Sequence, residues 1–169
     1  MINIRRITLT ALMAALIFVL TTVPRIPVPA TGGYVHLGDA GIAFAAVAFG
    51  PWVAMAAGGL GTALADLLGF PQWAIFSLLV HGLQGLAMGR ILHRGLSWAR
   101  ALIAAVVSIA IVVGGYFLAG VILQGAALAA LEIVPNAIQA LSGSIIGLPL
   151  YWAVRRAYPP LGSYSDRTV

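Results

Sequence analysis

The chain has 169 residues, of which 62% are apolar and only 8% are charged, whereas roughly 25% of residues are charged in an ordinary soluble domain. So few charged side chains cannot cover a water-soluble domain of this length, and the composition therefore predicts a membrane protein. The net charge of +5 comes from nine Arg and four acidic residues, with no Lys and no Cys. The missing Cys excludes disulfides and thiolate chemistry, and the missing Lys excludes a Walker-type phosphate loop. If ATP drives this protein, another chain hydrolyses it.

Six apolar segments bounded by Pro, Gly or charged residues predict six transmembrane helices, since a bilayer core about 30 Å thick takes roughly 20 helical residues to cross. The predicted spans are 7–23, 37–52, 53–69, 73–92, 98–123 and 131–154. The second and third are short and rich in Gly, and residues 125–130 could belong to a loop or to either neighbouring helix. The predicted fold is thus an all-α bundle over residues 1–156, followed by a cytoplasmic tail over 157–169.

The Arg residues predict the orientation, because basic residues accumulate in cytoplasmic loops. With six crossings and the N-terminus inside, only Arg25 falls outside. The other eight are Arg5, Arg6, Arg90, Arg94, Arg100, Arg155, Arg156 and Arg167. We therefore expect a multi-pass protein of the bacterial cytoplasmic membrane with both termini inside, whose basic charge faces the lipid bilayer rather than nucleic acid. A cleaved signal peptide is a weaker reading of the N-terminal segment.

Three of the four acidic residues fall near the outer membrane face in this orientation. Asp39 opens the second span, Asp66 lies near the outer end of the third, and Glu132 opens the sixth. Ionisable groups in hydrocarbon are costly and usually face protein or a water-filled cavity. We expect a cavity there for a small ligand that offers hydrogen-bond donors, a positive charge or a π face. The other candidate substrate-binding residues are Tyr34, His36, Trp73, His81, Gln84, Asn136 and Gln139.

Simpler structural roles remain open for several of these residues. Asp39 and Glu132 could be acidic residues that stabilise a helix N-terminus through the helix dipole. Asp66 lies near a helix C-terminus, where the dipole disfavours an acidic residue. His81 could be a packed core residue. Tyr34 and Trp73 could be aromatic anchors at the membrane interface.

The same residues do not predict an enzyme. Ser77 and His81, four residues apart on one helix, resemble a nucleophile and its base, and His36 with Asp39 resembles part of a metal site. No oxyanion motif accompanies the first pair and no H-E-x-x-H motif the second. We therefore expect no catalytic residues, no metal and no cofactor.

Small residues four apart recur within the predicted helices, which allows helix backbones to approach closely. Such pairs include Gly61 and Ala65, Gly85 and Gly89, and Gly143 and Gly147, most of which are expected to serve packing inside the bundle. Another, Ala11 and Ala15, lies on the first helix at one end of the chain and could face a partner protein instead.

An ordered set of motifs then points to a family. These motifs are GYVHLGDA at 33–40, GGLGTALADLLG at 58–69, HGLQGL at 81–86, EIVPNAIQ at 132–139 and GLPLY at 147–151. Over roughly residues 5 to 156 the chain resembles the substrate-binding S components of energy-coupling factor (ECF) vitamin transporters. The nearest group holds the riboflavin-, hydroxymethylpyrimidine- and pyridoxine-type S components.

The resemblance implies a six-helix bundle that binds a vitamin or precursor at its outer face and docks on a transmembrane coupling protein with two cytoplasmic ATPases. The family's alanine stripe, which contacts the coupling protein, matches Ala11 and Ala15, and its gating loop matches residues 24–37. His81 stands where relatives often carry Lys. The expected function is uptake of a small water-soluble vitamin or precursor. The alternatives are a self-sufficient, proton-coupled transporter and a scaffold subunit without a ligand.

Overall fold

A computed structural model describes residues 4–164 and folds them into a bundle of seven helices with one β-hairpin. The helices are α1 (Ile4–Thr22), α2 (Gly38–Phe49), α3 (Pro51–Gly69), α4 (Ala74–Leu92), α5 (Trp98–Gln124), α6 (Ala126–Leu131) and α7 (Ile133–Ala157). There are also two 3₁₀ turns: Pro71–Trp73 precedes α4, and Pro159–Ser163 follows α7. Arg167, which the sequence analysis assigns to the cytoplasmic side, lies outside the described residues.

Within the described chain, five segments are long and apolar enough to cross a membrane. They are Ile4–Thr22, Pro51–Gly69, Pro71–Leu92, Trp98–Gln124 and Ala126–Ala157. The helix α2, which corresponds to the predicted span 37–52, is shorter than that prediction. It has 12 residues and is therefore about 18 Å long at 1.5 Å per residue. Residues 126–131, whose assignment the sequence left open, form the separate short helix α6.

The short helix α2 is the centre of the bundle. Eleven of its twelve residues are buried, and it packs against α1, α3, α4 and α7. The outer helices have the opposite character, since large apolar side chains such as Leu102, Leu118 and Ile122 on α5 are exposed. A bundle that exposes apolar residues around its circumference and buries its small residues is suited to a lipid solvent.

Two glycines on α7 allow it to lie directly against α2. A Cβ at Gly143 would overlap the side chain of Asp39, and one at Gly147 would overlap the backbone of Ala40. The packing role expected for this pair of small residues is therefore what the structure shows.

The connection between α1 and α2 is ordered as a β-hairpin. Strand β1 (Ile26–Val28) pairs antiparallel with β2 (Gly33–Val35), with Pro27 opposite Tyr34. The family resemblance predicts a gating loop here but no strands. The hairpin leads the chain back to the bundle, where Leu37 donates its backbone N–H to the carbonyl of Leu20.

The two ends of the described chain meet at the same end of the bundle. The guanidinium of Arg5 at the start of α1 lies 3.8 Å from the centre of the Tyr164 ring. Leu161, in the 3₁₀ turn after α7, is buried in the apolar core.

Candidate ligand-binding site

A cavity of about 180 Å³ opens between the hairpin and the neighbouring ends of α3, α5 and α7. It includes seven of the ten residues that the sequence analysis proposes for substrate binding. Its lining consists of Thr31, Gly32, Gly33, Tyr34, His36, Asp66, Phe70, Gln72, Trp73, Tyr116, Gln124, Glu132, Asn136 and Gln139. Glu132, Asn136 and Gln139 lie together on the cavity side of the last helix, as their spacing predicts.

The carboxylate of Asp66 organises the deeper wall. It accepts hydrogen bonds from the hydroxyl of Tyr34 at 2.7 Å and from the hydroxyl of Ser77. The hydroxyl of Ser77 also lies 2.6 Å from that of Tyr116. Because Ser77 has one proton and gives it to Asp66, Tyr116 must be the donor to Ser77. Tyr34 and Tyr116 therefore turn their protons away from the cavity and can offer it only oxygen lone pairs.

Tyr34 is held as a hydrogen-bond donor by its surroundings. Burial and the neighbouring Asp66 raise the pKa of Tyr34 above its usual range, while the nearby Arg25 acts in the opposite direction. The Arg25 guanidinium lies 4.3 Å from the centre of the Tyr34 ring, and its Nε donates to the carbonyl of Thr21. The hairpin and the end of α1 are thereby joined over the cavity wall.

Two further contacts join this connection to α7 and the residue that precedes it. The hydroxyl of Thr31 donates to Oε1 of Glu132, and the backbone N–H of His36 donates to Oε1 of Gln139 at 3.2 Å. Glu132 occupies the N-cap position of α7 but its side chain makes no capping hydrogen bond. Its role in the structure is therefore contact with the hairpin rather than helix capping.

His36 presents a donor to the cavity. Its Nδ1 accepts the backbone N–H of Gly38 at 3.1 Å, so in the neutral ring the proton resides on Nε2. Burial is the main cause that lowers the pKa of His36 well below its usual 6.5, and the charge of the nearby Arg25 acts in the same direction. His36 is therefore neutral at physiological pH.

We expect the stability of the protein to fall as the pH drops below about 6.5. The unfolded chain then binds a proton at His36 that the folded chain excludes, so the unfolding equilibrium constant rises up to about tenfold per pH unit from this residue. Thermal unfolding of the detergent-solubilised protein from about pH 7.5 to about pH 5 would measure the effect. The His36→Asn variant keeps an acceptor for Gly38 but cannot titrate, and it should show a flatter profile. Equal pH slopes in both proteins would contradict this prediction.

Three of the proposed substrate-binding residues do not line the cavity. Asp39, His81 and Gln84 are at most 1% exposed and form a polar cluster behind its floor. The sequence correctly places them on helices near the site, but these helices turn the three side chains towards one another and not into the cavity. Ser108 on α5 completes this cluster.

The aromatic part of the wall was only partly predicted. Trp73 and Tyr34 were predicted, but their aromatic neighbours were not. The ring centre of Tyr116 lies 6.0 Å from that of Trp73. The ring centre of Phe70 lies 5.2 Å from that of Tyr34. Tyr116 is the one tyrosine within the largely aliphatic α5, which was a usable signal. Thr31 offered none, because its contact with Glu132 joins residues 101 positions apart.

Comparison with known proteins agrees with this architecture. Residues 1–156 match the family model of the ECF-type riboflavin transporter S component. The chain is 38% identical over 143 residues to an uncharacterised protein of Pyrococcus woesei, covering 85% of this chain and 97% of that protein. It is 33% identical over 156 residues to the thiamine precursor transporter HmpT of Lactococcus lactis, covering 91% of this chain and 90% of HmpT.

Solved structures show the same fold at low sequence identity. An S component for biotin superposes with a TM-score of 0.67 at 18% identity, covering 94% of this chain and 95% of that one. FolT bound with folic acid superposes with a TM-score of 0.64 at 20% identity, covering 92% and 95%. The chain belongs to the family of ECF-type riboflavin transporter S components, the membrane subunits that bind substrate for ECF transporters.

Proposed function

We propose that this S component captures a vitamin precursor built on a single heteroaromatic ring that carries hydrogen-bond donors. The supporting observation is the arrangement of hydroxyl protons around Asp66. Because Tyr34 donates its proton to the carboxylate of Asp66 and Tyr116 donates its proton to Ser77, the deep wall is rich in acceptors. A ligand with amino or hydroxyl groups satisfies those acceptors, and the Nε2–H of His36 remains available for a ring nitrogen.

The size of the cavity supports one ring rather than three. A cavity of about 150 Å³ is large enough for benzene, whereas drug-sized ligands occupy about 300–1,000 Å³. At about 180 Å³ the site suits a substituted single ring, and the fused tricyclic ring of riboflavin exceeds it. Trp73 and Tyr116 provide aromatic faces for such a ring. The similarity to a thiamine precursor transporter favours a pyrimidine.

The proposed topology has six crossings of the cytoplasmic membrane with both termini inside, in a domain of residues 1–156 with a short cytoplasmic tail over 157–169. Its support is the placement of the Arg residues and the contact between Arg5 and Tyr164, which brings the two ends of the described chain together. In this topology the cavity faces outward, and transport energy comes from two cytoplasmic ATPases through a transmembrane coupling protein.

The coupling protein is proposed to dock on the exposed side of α1. Ala11 and Ala15 are exposed there and line an apolar groove with Leu60, Leu64 and Leu68 of α3. Small residues at the base of an apolar groove allow a partner helix to approach closely within lipid.

Direct binding measurements test the ligand class. We expect the purified protein to bind hydroxymethylpyrimidine with an exocyclic amino group at least about a hundredfold more tightly than riboflavin, a difference of about 2.7 kcal/mol. Isothermal titration calorimetry with both compounds measures this ratio, and mass spectrometry of molecules that co-purify provides an independent check. Tighter binding of riboflavin would overturn the single-ring proposal.

A further inference from the structure

The polar cluster behind the cavity floor has a defined pattern of donors and acceptors. Gln84 Nε2 lies 3.2 Å from Asp39 Oδ2 and 2.8 Å from Ser108 Oγ, so the amide NH₂ faces the carboxylate. Gln84 Oε1 consequently faces His81, with its oxygen 2.7 Å from Nδ1 of the imidazole. Asp39 Oδ1 is 3.3 Å from the same nitrogen.

These contacts select one tautomer of His81. Both neighbours of Nδ1 are acceptors, so Nδ1 must carry a proton, and in the neutral ring Nε2 is then a bare acceptor. Nε2 is buried and has no hydrogen-bond partner among the described residues. Buried polar atoms are nearly always paired in proteins, and an exception calls for an explanation.

The position of His81 connects this unpaired acceptor with the cavity. The imidazole centre lies 5.7 Å from that of His36 and 5.5 Å from that of the Tyr116 ring. Both of these residues line the cavity floor. His81 is thus separated from the ligand space by the side chains of His36 and Tyr116, and it lies against both of them.

We propose that Nε2 of His81 is the deepest hydrogen-bond acceptor of the ligand site and determines specificity for a ligand that inserts an amino or hydroxyl donor between His36 and Tyr116. Asp39, Gln84 and Ser108 are positioning residues that hold His81 in the required tautomer. This inference rests on the proposed function, because it assigns a recognition role within the same site. It also explains why a polar cluster is kept in the apolar bundle.

The test combines variants of His81 with two probe ligands, the amino-bearing hydroxymethylpyrimidine and its analogue with hydrogen in place of the amino group. His81→Asn keeps a group near the Nδ1 position that can contact Gln84 but removes Nε2, whereas His81→Gln restores an amide near Nε2. We expect the wild-type protein to prefer the amino compound at least about tenfold, His81→Asn to lose that preference, and His81→Gln to recover part of it. A purely structural role would lower the affinity for both compounds equally.

A measurement on the wild-type protein covers the case in which the variants do not fold. With ¹⁵N-labelled histidine, the Nε2 resonance of His81 should move upfield on addition of the amino compound, as expected for a lone pair that accepts a hydrogen bond, and stay in place with the analogue. An unchanged preference in a folded His81→Asn variant, or an unmoved resonance, would overturn the role of His81 alone. Failure of the wild-type protein to bind either compound would overturn the proposed ligand class and this inference with it.

Discussion

Replacing Ala11 or Ala15 with Trp is expected to abolish ligand uptake and to leave ligand affinity unchanged. Both residues are exposed on α1 and line the apolar groove shared with α3, and neither lines the cavity. An indole in this groove prevents close approach of a partner helix but contacts no cavity residue. Uptake into proteoliposomes that contain the coupling protein and both ATPases, together with calorimetric affinity for the amino-bearing hydroxymethylpyrimidine, measures the two effects separately.

Ala110→Trp is the matched control, since Ala110 is also an exposed alanine but lies on α5, away from the groove. It should transport normally. Loss of ligand binding in the Ala11 or Ala15 variant would show that the alanines support the bundle internally. Uptake by the wild-type protein without the ATPases would instead favour a self-sufficient transporter.

Replacing Asp66 with Ala is expected to weaken binding of the same pyrimidine at least tenfold, or about 1.4 kcal/mol. The carboxylate accepts hydrogen bonds from Tyr34 and Ser77, and hydrogen bonds to charged groups contribute about 1.5–3 kcal/mol each. Without it the hydroxyl proton of Tyr34 is free to turn into the cavity. Ser77, having lost its acceptor, can then donate to Tyr116 and free that hydroxyl proton as well, which replaces acceptors by donors. Calorimetry compares the dissociation constants.

Asn136→Ala extends this test to the opposite wall. Its half-buried side chain lines the cavity, and a similar loss of at least tenfold is expected. Ser142→Ala serves as the control on the same helix, because its hydroxyl bonds to the carbonyl of Gln139 and does not line the cavity. Unchanged affinity in both the Asp66 and Asn136 variants would refute the proposed site.

The outline of the bundle was predictable because hydrophobic runs and charge placement are local properties of the sequence. Pro51, Gly69 and Pro71 end or begin helices as such residues do generally. The cavity was predictable for a related reason, since polar residues in apolar helices have few places to go. Because burial of polar groups in hydrocarbon is costly, Asp66, Glu132 and Asn136 were predicted to line a cavity, and they do.

The parts that sequence did not predict depend on contacts between distant segments. Whether a buried polar residue faces the ligand space or another side chain is decided by its partners, as with Asp39 and Gln84, 45 positions apart. The hairpin was missed because three-residue strands are too short for a recognisable alternation of apolar and polar residues. Its order comes instead from contacts such as that of Tyr34 with Asp66.

The shortness of α2 has a consequence for the path of the ligand. The helix begins at Gly38, two residues after His36, which lines the cavity, and it ends at Phe49. In the proposed topology a ligand on that floor already lies part of the way across the hydrocarbon, with about 18 Å of protein, one length of α2, between it and the cytoplasmic side. In that topology, capture at the outer face is already the first part of the crossing, and the movement that remains is shorter than the membrane is thick.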